Sequence, residues 1–196
     1  YLGCRRNYHI FMSAGRWNGT IYDTPDTNRR DNATNMSLAD GNVYGGSTTA
    51  LRSKTALYRD SWGTTTLADW AFYSWVTPLH TTGVSGAPEP TAEYRNAPNS
   101  EDFGPDSTSK KNAVLDKYWN PKYDPATWAH MVTYTIGVSG DATTWPDAST
   151  IFAPTDKTPF GYTGSFPDLV TGNKKWPDMN TGEGVRALDL WHAALN

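Results

Sequence analysis

The clearest pattern along the chain is an alternation. Val132, Tyr134, Ile136 and Val138 are apolar, and Thr133 and Thr135 sit between them. Alternation rich in β-branched and aromatic residues predicts a strand. Asp124-Pro125 stops whatever precedes it, because proline disfavours helix at the residue before. Gly137 and Gly140 release the strand into a loop at its carboxyl end, where open α/β sheets usually bind ligands. A second strand is predicted over Asn7-Tyr-His-Ile-Phe-Met-Ser13, nearly continuous in apolar character, as expected of a parallel strand covered on both faces. It runs into a loop marked by Gly15 and Asn18-Gly19.

Two helices are predicted. Thr66-Leu-Ala-Asp69 has the form of a capping box, and Leu67, Trp70, Ala71, Ser74 and Trp75 fall on one helical face before Pro78. That Trp and Tyr stripe reads as core packing. Near the carboxyl end, Val185, Leu188, Trp191, His192 and Leu195 share a face within Gly184–Leu195. Ala113–Trp119 is predicted as a short helix leading to Asn120-Pro121. Between these elements lie polar, loop-rich stretches, read as insertions at about 20–60, 80–112 and 141–182, the first with a short irregular hairpin. Strands alternating with helices predict an α/β fold with a parallel sheet and a right-handed crossover.

Composition adds limits. The chain has 196 residues, a net charge of −3 and 19% charged residues, so no basic face for nucleic acid is indicated. It contains 9 Trp and 11 Tyr, which makes an aromatic core expected, and 17 Gly with 13 Pro, which makes much of the length loop. No apolar run approaches the roughly 18 residues that span a bilayer. The chain opens on Tyr1 rather than Met and reads as a processed or excised piece. Cys4, the lone cysteine, reads equally as a thiol with a partner elsewhere and as a small buried apolar residue. Three Asn-x-Ser/Thr triplets, at Asn18, Asn32 and Asn35, are expected by chance in this composition.

Catalytic patterns are sparse. Neither Gly-x-Ser-x-Gly nor a phosphate-binding glycine pattern occurs. His9, His80, His130 and His192 are too far apart in sequence for metal-ligand spacing. No carboxylate pair for glycoside cleavage stands out, and Asp178-Met-Asn-Thr-Gly-Glu183 lacks the full ligand series of a calcium loop.

Four segments carry a family resemblance: Cys4-Arg-Arg-Asn-Tyr-His-Ile-Phe-Met-Ser-Ala-Gly-Arg-Trp-Asn18, Thr66-Leu-Ala-Asp-Trp-Ala-Phe-Tyr-Ser-Trp75, Asp124-Pro-Ala-Thr-Trp-Ala-His-Met-Val-Thr-Tyr-Thr-Ile-Gly137 and Leu188-Asp-Leu-Trp-His-Ala-Ala-Leu-Asn196. In this order they resemble the amino-terminal region of the PilY-type proteins of type IV pilus assembly, which is similar to von Willebrand factor A domains. The resemblance implies a partial, Rossmann-like parallel sheet flanked by helices, whose first strand lies upstream of Tyr1. It implies a non-enzymatic protein at the pilus tip or outer cell surface, reached through the periplasm, that primes assembly and contributes to adhesion. The partners it implies are minor pilins, other pilus-tip proteins and the remaining segments of the same protein.

A von Willebrand A metal site would take an Asp where this chain has Ala14, and no Asp-x-Ser-x-Ser occurs. No metal and no cofactor are therefore expected in this segment, since a hard cation needs several oxygen ligands. In that geometry Ser13, Trp17, Asn18 and Ser139 lie at the carboxyl edge of the sheet and form the candidate contact surface. The alternative from another class is a secreted carbohydrate-binding or carbohydrate-cleaving module, for which Trp17, Trp62, Trp145 and Trp176 would have to be exposed. A third reading presents a sheet edge to an extended peptide. A sheet lacking its central strand has open edges, so the isolated 196 residues are expected to be poorly soluble or oligomeric.

Overall fold

The computed structural model describes residues 7–13, 31–46, 48, 53–60, 65–79, 96–137, 166–179 and 183–196. The two predicted strands form and pair. β1 (Asn7–Ser13) runs parallel to β6 (Met131–Gly137), in register from Asn7 opposite Met131 to Ser13 opposite Gly137. Two helices cover β6 on one side. α1 (Leu67–Val76) and α3 (Glu183–Leu195) pack on each other and against β6, and the Thr135 hydroxyl donates to the Leu190 carbonyl at 2.8 Å.

The expectation that β1 is buried on both faces is not met. Tyr8, Ile10 and Met12 are exposed, as are Tyr134 and Ile136 beside them on β6. The parallel pairing was legible, but the apolar run states only that cover is needed. The helices supply it over Thr133 and Thr135 on the opposite face of β6.

α1 begins as predicted. The Thr66 hydroxyl accepts from the Asp69 amide while the Asp69 carboxylate accepts from the Thr66 amide. Its buried face is rotated from the expected one. Ala68, Asp69, Ala71, Phe72 and Val76 are buried, whereas Trp70 is 43% exposed and stands edge-on to Tyr73. The buried, hydrogen-bonded cap at Asp69 turns the first helical turn inward, and Trp70, one residue on, is carried outward.

Residues Ala113–Trp119 are not a helix. β5 (Asn112–Asp116) pairs antiparallel with β4 (Ser100–Pro105), and a 3-10 turn follows over Lys117–Trp119. Burial follows period two: Ala113 and Leu115 point inward and Val114 is exposed. The short Ala-Val-Leu run fits both periods, and cross-strand pairing with β4 decides it. Asp106 ties the hairpin loop by accepting from the amides of Thr108, Ser109 and Lys110.

The stretches between the predicted elements supply core as well as surface. β2 (Met36–Ser37) and β3 (Val43–Tyr44) form the short hairpin, and a 3-10 turn spans Ala56–Tyr58. α2 (Phe166–Thr171) packs on β4 and β5. Leu38, Tyr44, Leu57, Phe166, Leu169 and Trp176 from these stretches join Phe72, Leu115, Trp119 and Leu188 in one buried cluster. The aromatic core expected from composition is present: Tyr44 packs on Phe72 and Trp119, and Trp75 on Trp128.

Candidate functional site

Of the residues expected at the carboxyl edge of the sheet, Ser13 ends β1 opposite Gly137. Trp17, Asn18, Ser139 and Ala14 lie outside the described residues. Among the described residues no three His, Cys, Asp or Glu side chains are grouped to hold a metal ion. Trp176, one of the four candidates for sugar stacking, is fully buried, and its indole N–H donates to the Leu57 carbonyl at 2.7 Å. It therefore offers no stacking face to a ligand. Trp62 and Trp145 lie outside the described residues.

The structure instead brings together a polar junction where α1 meets α3. The first amides of a helix have no partner inside it and favour negative charge. Here Asp189 of α3 accepts from the Leu67 amide at 2.9 Å and the Ala68 amide at 3.1 Å, and Thr66 and Asp69 complete the cap. Asp69 also accepts from the Asp31 amide at 3.1 Å. The Asp31 carboxylate lies 2.9 Å from His192 Nε2 and accepts from the Asn196 amide at 3.0 Å. His192 is stacked on Trp176 at 4.5 Å, and its Nε2 also lies 2.9 Å from the Tyr58 carbonyl. His192, Asp31, Asp69 and Asp189 are all buried.

Burial sets the proton affinities of this junction. Desolvation, then the neighbouring charge of Asp31, push the Asp69 carboxyl up to about 7. Desolvation also raises Asp189, against the pull of the helix amides it accepts from. For His192 desolvation opposes protonation, but the charge and hydrogen bond of Asp31 outweigh it and raise its pKa. The sequence places His192 on a helical face. Its partner Asp31 lies 161 residues earlier (192 less 31), so no local pattern joins them. This junction fastens α1 to α3 and is a structural device.

Beside it lies a cavity of about 680 Å³. Phe72 and Trp75 of α1, Tyr58 and Trp119 line it together with the segment Pro121–Pro125 and the end of α3 at Ala194–Asn196. Val132, Thr133, Tyr134 and Thr135 of β6 border it. Its polar groups are largely engaged. The Tyr58 hydroxyl donates to the Trp119 carbonyl at 2.7 Å, Lys122 is paired with Glu101, and Asp124 lies 3.2 Å from His130 Nε2. Its composition could have been anticipated only in part. Trp75 stands in a predicted helix, but Trp119 and Tyr58 reach the cavity through 3-10 turns with no sequence signature.

No helix among the described residues is long and apolar enough to cross a membrane. The chain matches no protein-family model and no solved structure. It does match curated relatives. It is 33% identical, over 98% of its own length, to the type IV pilus biogenesis factor PilY1 of Pseudomonas aeruginosa strain PAK. It is 34% identical over 98% of its length to the same factor of strain PAO1. In both cases the chain spans 14% of the relative's length. The four motifs and these alignments agree: over nearly its whole length the chain is similar to one segment of the PilY1-type biogenesis factors of the type IV pilus.

Proposed function

We infer that this segment serves type IV pilus biogenesis as a non-enzymatic docking module at the pilus tip or outer cell surface, within a von Willebrand A-like domain. The observation that carries the reading is the alignment of 98% of the chain to PilY1 at 33% identity. The geometry supports binding rather than turnover. The buried titratable cluster is consumed in capping α1 and pinning α3. The accessible features are an apolar sheet face, a strand edge and an aromatic cavity. The parallel β1–β6 pair backed by α1 and α3 is what one side of a Rossmann-like sheet requires. The partners proposed are minor pilins or other tip proteins, with surface adhesion as a consequence of that position.

The test is capture of minor pilins by the intact protein, with and without EDTA. Capture that ignores EDTA supports a docking role without a metal at the Ala14 end of the sheet. Capture abolished by EDTA overturns the metal-free part of the reading. Absence of capture, with retention on a glycan array, replaces it with a carbohydrate-binding one.

A further inference from the structure

A strand has two edges. Among the described residues β6 is paired on one edge only, by β1. The other edge borders the aromatic cavity. Four consecutive residues, Val132 to Thr135, line it. Successive side chains of a strand point to opposite faces, so four in a row touch one cavity only where the strand edge itself faces it. In a parallel ladder the backbone groups of alternate residues turn to opposite sides. Every second residue of β6 therefore projects its amide and carbonyl from the free edge, and these groups have no partner among the described residues. Such a row of unmet donors and acceptors is complementary to one common ligand, an extended peptide backbone.

The cavity adds a second requirement. Phe72, Trp75 and Trp119 give it an apolar side, the Lys122 charge is already paired with Glu101, and Asp124 lies beside His130 Nε2. A charged side chain entering it would lose its hydration and find no free counter-charge. A sugar carries hydroxyls on every side, and those turned toward Phe72, Trp75 and Trp119 would be left without partners. An uncharged apolar or aromatic side chain suits it. We propose that the free edge of β6 and the adjoining cavity form a strand-docking site, in which a partner protein's extended segment hydrogen-bonds to β6 and lodges an apolar side chain among Phe72, Trp75 and Trp119. This deepens the docking role proposed above and rests on it.

Ala194 permits a direct test, because it lines the cavity yet is exposed. Ala194→Phe fills the site without disturbing the core, and Ala194→Ser is the control. The probe is a panel of synthetic peptides of roughly eight residues, the length of an ordinary strand, alternating apolar and polar positions. Binding to the intact protein is read by fluorescence anisotropy. The expected result is that peptides bind the parent protein and Ala194→Ser alike, and that Ala194→Phe weakens them about tenfold or more, the contribution of one buried side chain. N-methylation at alternate peptide amides should abolish binding in one register and leave it intact in the other, as strand pairing demands. Peptide binding insensitive to both changes overturns the proposal, as does no peptide binding. Oligosaccharide binding blocked by Ala194→Phe also overturns it, in favour of a sugar pocket. Pilin capture is read in parallel. Capture that persists when no peptide binds removes the strand-docking site alone, whereas loss of capture by the parent protein removes the docking role itself.

Discussion

Gly45 and Gly41 flank β3 and share a backbone conformation, with φ of +83° and +86°, but not an environment. A Cβ at Gly45 would clash with the Ala33 carbonyl oxygen, whereas one at Gly41 meets nothing within 4 Å. Both positions disfavour an L side chain, and Gly45 alone also lacks room. Gly41→Ala should therefore cost about 1 kcal/mol, the left-handed backbone preference by itself. Gly45→Ala should cost roughly 2–4 kcal/mol, because the Ala33–Thr34 backbone must move away or the chain must strain. Urea midpoints of the two variants check this, and equal losses would mean that the Ala33 contact does not constrain the hairpin. The difference is invisible in sequence, where each glycine reads only as a turn residue. It arises from a backbone segment twelve residues upstream (45 less 33).

The α1–α3 junction makes stability depend on pH through elements rather than single contacts. A group that holds its proton more firmly in the folded state adds stability below its unfolded pKa, and that stability is lost as pH rises through its folded pKa. Asp69, at about 7, is of this kind, and so are Asp189 and His192. Asp106 and Asp168 are the reverse. The Asp168 carboxyl loses some solvation, but hydrogen bonds from Asn173 and Ser107 hold its pKa down, and Ser109 does the same for Asp106. Their contribution is present above the ordinary carboxylate pKa of about 3.9 and lost on acidification. Urea midpoints should thus be highest near pH 4, where Asp106 and Asp168 are ionised and Asp69 still holds its proton, and fall from there to about pH 7 as Asp69 ionises against Asp31, with His192 extending the fall above about pH 6.5. Asp69→Asn should flatten the fall on the alkaline side while lowering stability overall, since an amide cannot accept from both Thr66 and Asp31 as the carboxylate does. A midpoint that keeps rising to pH 8 would contradict this account of the junction. The elements themselves were largely legible. β6, α1 and α3 each carry a pattern long enough to fix their period, β1 was legible as a short apolar run bounded by turn residues, and the Thr66–Asp69 cap is local. What escaped reading is what depends on distant chain: Asp189 capping α1 from 122 residues away, Trp70 turned outward by a buried cap, and β5 chosen over helix by its pairing with β4. The cavity belongs to this second class, because Tyr58, Trp75, Trp119 and β6 meet only in the folded chain.

At the scale of the molecule, one half of the sheet is finished and the other is open. Parallel sheets occur with both faces covered. Here α1 and α3 cover one face of β6, while the opposite face presents Tyr8, Ile10, Met12, Tyr134 and Ile136, which are 52%, 62%, 67%, 50% and 45% exposed. Register places Ile10 beside Tyr134 and Met12 beside Ile136, so these side chains form one continuous patch rather than scattered exceptions. The patch carries no charged side chain, and the net charge of −3 is small for 196 residues, so electrostatic repulsion opposes contact between copies only weakly. Two copies can cover their patches by apposing them, and each large apolar side chain so buried contributes about 1.5–3 kcal/mol before the cost of association. The isolated 196-residue chain should therefore self-associate as concentration rises. Ile10→Lys with Ile136→Lys should shift it toward monomer without loss of thermal stability, because neither side chain touches the buried cluster. Sedimentation velocity over a concentration series, paired with thermal melts, tests both halves of the expectation. A parent chain that stays monomeric throughout would show that the exposed face does not drive association. A double variant that is monomeric but melts much earlier would show that the face is already packed within the chain, and that self-association has another origin.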